Sequence, residues 1–337
     1  MKAYIEKCLT GGNLTSEEAA AALDLIMTGQ ATDIQIAGLI VALRAKGETV
    51  DEIVGFVKTM RAHAITIAVD DPDAIDMCGT GGDGRGTFNI STVASLVAAG
   101  AGVTVAKHGN RSVSSRSGSA DLLMALGVNI QVPPARVQEC VNSIGVGFLF
   151  APLFHPAMKY AGKPRSELGV RTIFNILGPM TNPALVRRQL LGTFNKEIAP
   201  KLAAVLQRLD ARKVLVVHSA DGMDEISIAA ATTGFEAEPG KSVAERTIQP
   251  RDFGLQNGTA TDMLGGSAEE NARIAKGVLD GHKTRARDVV IANAAAGIYV
   301  AGKASSLAEG ATKATESIDS GKARQSLSRL IDLTNRP

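Results

Sequence analysis

The chain has no tryptophan, three tyrosines and three cysteines in 337 residues. Cys8, Cys78 and Cys140 are too few and too scattered for a disulfide framework or a zinc site. The formal charge is only +2, so no global field recruits nucleic acid or an anionic membrane, and any electrostatic function must be local. Uncharged runs fall short of the roughly 20 residues of a membrane span. The opening Met1-Lys2-Ala3-Tyr4-Ile5-Glu6 lacks the apolar core of a signal peptide. A cytoplasmic protein is expected, with neither membrane nor nucleic acid as partner.

What is present is an ordinary globular balance, 45% apolar and 21% charged. The length exceeds the roughly 250 to 300 residues at which single cores stop growing, which predicts two lobes or one large domain with an appendage. Over residues 1 to 68, Ser/Thr followed three positions later by Glu/Gln recurs at Thr15/Glu18, Thr32/Gln35 and Thr49/Glu52. Each pair opens an apolar run at helical spacing, predicting short amphipathic helices that need a partner surface. From about residue 74, short apolar strands alternate with helices, the pattern of a mainly parallel α/β sheet. The strands are expected at 74–78, 103–106, 128–132, 148–151, 189–192 and 213–218. Residues 152 to 187, rich in Pro and Gly, read as a crossover that visits the helical lobe and returns. The fold class is therefore α/β, a small all-α domain plus a larger α/β domain with a mainly parallel central sheet. The expected division is 1–70 with crossover helices around 164–187 for the first, and 71–163 with 188–337 for the second.

In such sheets ligands sit beyond the carboxyl ends of strands, and there the sequence is most pointed. Gly79-Thr80-Gly81-Gly82-Asp83-Gly84 fits both a tight strand-to-helix turn and G-x-G-x-x-G. The acidic residue that a dinucleotide fingerprint wants about twenty positions later is missing. Between Asp83 and Asp121 there is no acid at all, while Arg85, Lys107, Arg111 and Arg116 fall in the interval. Asn89-Ile90-Ser91-Thr92 puts small donors at a helix N-terminus, where free N–H groups favour phosphate, although Asn89 or Ser91 also suits a plain cap. Lys107 to Ser119 carries three basic side chains and five serines without an acid, and reads as an anion-binding loop. Asp224-Glu225 follows a predicted strand. Alone it is a solvated turn, but opposite a diphosphate-sized basic pocket it becomes a hard-cation site. Arg165 lies near the lobe junction, where a guanidinium can clamp a carboxylate.

GTGGDG, NIST, KHGNRSVSSRSGSADLL, FNILGPMTNP and DGMDEIS stand in the order and spacing of the anthranilate phosphoribosyltransferase family, which the chain resembles over nearly its whole length. Ser112, Arg116 and Met124 depart from the usual Ala, Lys and Glu. The resemblance implies a nucleoside phosphorylase/phosphoribosyltransferase-like fold, a homodimer formed through the α-helical domain, and a site in the hinge cleft. It implies phosphoribosyl transfer from phosphoribosyl pyrophosphate (PRPP) to anthranilate with Mg²⁺, in tryptophan biosynthesis. Carried over by position, Gly79, Gly82, Asp83, Thr87, Asn89, Ser91, Thr92, Lys107, Gly109, Asn110, Arg111, Ser114, Ser115 and Ser119 become PRPP contacts. Gly79, His108, Asn110 and Arg165 become anthranilate contacts, and Ser91, Asp224 and Glu225 metal ligands. Lys107, His108 and Asp83 then lie nearest the chemistry. A pyrimidine nucleoside phosphorylase and a non-catalytic nucleic-acid-binding relative of the fold are the competing readings.

Overall fold

The computed structural model describes residues 1–112 and 116–337. Its first helices are set by local capping chemistry: α1 (Lys2–Leu9), α2 (Ser16–Met27), α3 (Asp33–Lys46) and α4 (Val50–Ala62). Thr15, Thr32 and Thr49 each accept from the N3 backbone N–H while Glu18, Gln35 and Glu52 accept from the cap's own N–H. Both partners of each box satisfy donors that a helix start otherwise leaves free.

The α/β part then alternates. β1 (Ile75–Gly79), α5 (Ile90–Gly100), β2 (Val105–Gly109), α6 (Ser119–Ala125), α7 (Pro134–Ile144) and β3 (Val146–Phe150) run in sequence. The crossover holds α8 (Ala151–Phe154), α9 (Lys159–Leu168) and α10 (Phe174–Met180). The chain returns through β4 (Arg188–Gly192), α11 (Ala199–Arg208), β5 (Lys213–Ser219), β6 (Thr232–Ala237) and β7 (Ala244–Ile248). Four helices close it: α12 (Ala268–Leu279), α13 (Arg285–Val300), α14 (Leu307–Asp319) and α15 (Lys322–Thr334).

The seven strands lie in the order β3-β2-β1-β4-β5-β6-β7. The first five are parallel, and β6 and β7 join antiparallel at one edge. Chain order reverses between β1 and β4, so the crevice at their carboxyl ends is the topological switch point. One face of the sheet is covered by α5 and α13, with Val93, Val97, Val290 and Ala294 fully buried. On the other face Leu191, Val214 and Val216 share a core with α11, α10 and the N-terminal helices. The crossover helices α9 and α10 pack on α3 and α4 respectively.

One expected strand is absent. Residues 128–132 alternate buried and exposed as a strand would, with Val128, Ile130 and Val132 inside, but they form no ladder. Their backbone donors go elsewhere: Val128 N–H to the Leu123 carbonyl at 2.9 Å, Asn129 N–H to Thr334 Oγ1 at 3.2 Å and Gln131 N–H to Asn129 Oδ1 at 3.0 Å. The segment is a connector whose apolar side chains fill the core beneath α6 and α15.

Candidate active site

The site is built where β1 and β4 end in glycine. A Cβ on Gly79 would overlap the Asp224 carboxylate, and one on Gly192 would overlap the Asp224 carbonyl. Bare backbone at both strand ends thus lets the turn after β5 lie in the mouth of the sheet. Asp224 accepts from Gly81 N–H at 2.7 Å, and its own N–H donates to Asp83 Oδ2 at 3.4 Å. Glu225 accepts from Ser91 N–H at 3.1 Å, in the first turn of α5. The turn is held from behind by Asn293 on α13, which exchanges hydrogen bonds with both backbone groups of Ile226.

Lys107, on β2 and buried, donates to the Met77 carbonyl and to Ser91 Oγ at 3.4 Å. Burial raises the carboxyl pKa values of Asp224 and Glu225; crowding by Asp83 adds to the first and by Asp224 to the second, while Lys107 pulls Glu225 back. Asp224 and Glu225, with Asp83 adjacent, are a donor set that fits a divalent cation, which would relieve the repulsion that raises the first two. Among the described residues no cluster of three or more His, Cys, Asp or Glu has metal-holding geometry of its own. The set therefore suits a cation also ligated by substrate oxygens.

His108 follows Lys107 on β2. Its N–H donates to Asp76 Oδ1 at 3.1 Å, and its ring Nδ1 meets the Gly178 carbonyl at 3.1 Å. A carbonyl only accepts, so Nδ1 carries the proton and Nε2 is an acceptor. Burial, and then the neighbouring His155 ring at 5.1 Å, lower its pKa to about 3. Burial likewise lowers that of His155 to about 4. Both Nε2 atoms are buried without a partner among the described residues. Asp76 is buried behind them; it accepts from Asn182 Nδ2 at 2.8 Å, and desolvation pushes its pKa up to about 6 against the pull of Lys107.

The remaining candidates divide by what holds them. Asn89 donates to the Ser117 carbonyl at 3.0 Å and accepts from Asn271 Nδ2 at 2.9 Å, which fixes the basic loop to α5 and α12 rather than capping α5. Thr87 makes an isolated bridge to Leu264. Thr92 is buried on α5, its hydroxyl without a partner among the described residues. Gly109 lies against Ser119 and Phe148, and the Asn110 carbonyl accepts from Ser119 Oγ at 3.2 Å. Ser114 and Ser115 lie outside the described residues. Arg165 on α9 is half-buried over the Phe174 ring at 5.1 Å, and desolvation lowers its pKa.

Two readings of the basic interval change. Arg111 is 3.7 Å from Asp121, which also accepts from Ser112 and Gly118 N–H, so the acid that ends the interval closes the loop and pairs one of its cations. Arg85 lies against Gly222, beside the acidic turn. The sequence reading gave no role to Asp76, Asn182, Asn271, Asn293 or Arg171. Asn182 stands in the quoted FNILGPMTNP run, but its partners are far away in the chain.

A sheet whose switch point carries a glycine loop, a buried lysine and an acidic turn defines a sugar-phosphate-handling transferase, and the matches to known proteins agree. Residues 2–64 match the helical bundle domain of the glycosyl transferase family, and residues 71–324 match its a/b domain. The chain belongs to the anthranilate phosphoribosyltransferase family. It is 50% identical to that enzyme from Moorella thermoacetica, over 98% of this chain and 97% of the other. Its structure superposes on the Thermus thermophilus enzyme with a TM-score of 0.94 and 43% identity, covering 99% of each chain. The Saccharomyces cerevisiae enzyme in complex with PRPP and Mg gives 0.90 at 30% identity, over 99% and 97%. The same yeast enzyme with 4-fluoroanthranilate gives 0.87 at 30%, over 98% and 97%.

Proposed function

We infer that this chain transfers the phosphoribosyl group of PRPP to the amino group of anthranilate, releasing pyrophosphate and forming phosphoribosylanthranilate. The observation that carries the reading is the seating of Asp224 on the bare ends of β1 and β4, with Glu225 on the α5 N-terminus beside Lys107. A cation-binding half and an anion-binding half meet there.

In the reaction the bond from ribose C1 to pyrophosphate breaks, its electron pair leaving with pyrophosphate, and the amine lone pair forms the new C–N bond. The nitrogen then loses a proton to solvent. Ser91, Asp224 and Glu225, with Asp83 adjacent, would hold Mg²⁺, which when bound neutralises charge on the diphosphate. Lys107 and N–H groups of the glycine loop receive the leaving group. An aromatic amine is neutral at pH 7, so orientation is the main demand: Arg165 on the carboxylate and the neutral His108, with Nε2 as acceptor, meet it. A ring with a pKa of about 3 orients a proton and does not remove one as a strong base.

Addition of PRPP and Mg²⁺ to the protein with anthranilate should remove anthranilate fluorescence. Unchanged fluorescence, with phosphorolysis of uridine or thymidine, would establish the phosphorylase reading instead.

We also propose that residues 1–70 and 164–187 move as one body against the rest, on the packing of α9 on α3 and α10 on α4. Two copies pair through the exposed Leu9, Ile34 and Val41 of α1 and α3, of which Ile34 is 85% exposed. Light scattering should give the mass of two chains, and Ile34→Glu the mass of one; a single-chain mass for the parent protein sinks this assignment.

A further inference from the structure

We propose that Arg171 is a positioning residue for the glycine loop, tying the crossover from the helical lobe to the loop that receives the diphosphate; this rests on the PRPP reading above. Arg171 sits between α9 and α10, in the same crossover as Arg165. Its guanidinium donates to the Gly82 carbonyl and lies 4.1 Å over the Phe194 ring. Phe194 follows β4, and its N–H donates to Thr80 Oγ1 at 3.2 Å. Arg171 and Phe194 therefore brace the loop at two points, Thr80 and Gly82.

Two peptides of the loop, one apart in the chain, are held from opposite sides of the site. Gly81 N–H goes to Asp224, on the cation side, and Gly82 C=O goes to Arg171, on the acceptor side. Gly82 has φ of +74°, and a Cβ there would stand 3.5 Å from Arg171 Nη2, so the loop peptide is set in a glycine-only conformation against the guanidinium. Among the described residues Arg171 has no carboxylate partner; a carbonyl and an aromatic face leave its charge intact. A full positive charge fixed on the loop adds to the field at the diphosphate, and it does so only while the helical lobe is in place. The segment that carries the anthranilate clamp then also orders the PRPP loop, so one lobe movement prepares both substrates.

The test compares Arg171→Ala and Arg171→Lys with the parent enzyme under Mg²⁺ saturation. Arg171→Ala should raise KM for PRPP about tenfold, the effect of losing one charge-assisted hydrogen bond. It should weaken competitive inhibition by pyrophosphate in parallel, with KM for anthranilate within about twofold and Tm unchanged. Arg171→Lys, which keeps the charge but not the planar fork, should fall between them. A purely structural role would lower Tm and kcat without separating the two KM values, and that result, or an unchanged KM for PRPP in Arg171→Ala, overturns the proposal. Absence of PRPP-dependent turnover in the parent enzyme would overturn the function reading itself, so the two failures are distinct.

Discussion

Arg165 and His108, both proposed to meet anthranilate, bring different endowments. Arg165 is a cation over an aromatic ring with no acidic partner among the described residues, and desolvation already presses on its charge. A carboxylate ligand would relieve that cost and accept two parallel hydrogen bonds. Arg165→Ala should therefore raise KM for anthranilate at least tenfold while KM for PRPP moves little; equal values for parent and variant would refute the clamp. In the sequence, an Arg beside Gly and Pro near a lobe junction suits a carboxylate clamp and a plain surface position alike, and the clamp rests on the resemblance. His108 is singled out in the sequence only by resemblance. What fixes its tautomer, the Gly178 carbonyl, lies 70 positions away in the chain, and no local pattern encodes such a partner. Asp76 was missed for the same reason: in sequence it is one polar residue in an apolar strand, and only folding surrounds it with Asn182, His108 and Lys107.

α5 concentrates the element-scale chemistry in its first turn. Ser91 N–H is occupied by Glu225 and Ser91 Oγ by Lys107, so the helix end expected to hold phosphate already meets a carboxyl group there. Replacing Asp224 with Asn and Glu225 with Gln keeps the size of both side chains, and amide oxygens still accept from Gly81 and Ser91. The double variant should fold as the parent does by circular dichroism and lose at least a hundredfold in Mg²⁺-dependent kcat/KM; persistent metal-dependent turnover would remove these residues from the metal site. At this scale the sequence was a good guide wherever the signal is local. Three capping boxes were readable because both partners lie within four residues. The 128–132 segment misled because alternating burial is necessary for a half-buried strand but not sufficient. Membership of a sheet needs ladder partners, and the donors of this segment are taken by the Leu123 carbonyl and by the Thr334 and Asn129 side chains.

Two neutral imidazoles buried near the junction of the lobes give the whole molecule a pH dependence. Their folded pKa values, about 3 for His108 and about 4 for His155, lie below the ordinary 6.5, so the unfolded chain binds more protons in between. The stability they permit is complete above pH 6.5 and is lost as pH falls towards 4, by about 1.4 kcal/mol per unit for each ring. Asp76, raised to about 6, opposes this: its protonated form is favoured on folding, so its contribution grows as pH falls through 6 towards the unfolded value near 4. Asp224 and Glu225, whose carboxyl pKa values burial also raises, oppose the imidazoles in the same sense. Between pH 7.5 and 5.5, urea unfolding should show the change in stability on acidification shifted in favour of His155→Gln by about 1 kcal/mol relative to the parent; the same change in both proteins would mean that His155 is already charged in the fold. A last consequence follows from how Asn293 pins Ile226 behind the acidic turn. During synthesis, a nascent chain that has emerged as far as residue 225 displays every proposed substrate residue, yet the turn that carries Asp224 and Glu225 has no backing until α13 leaves the ribosome. Competence for the reaction thus arrives near the end of translation, and truncated products carry the recognition residues without the assembled centre.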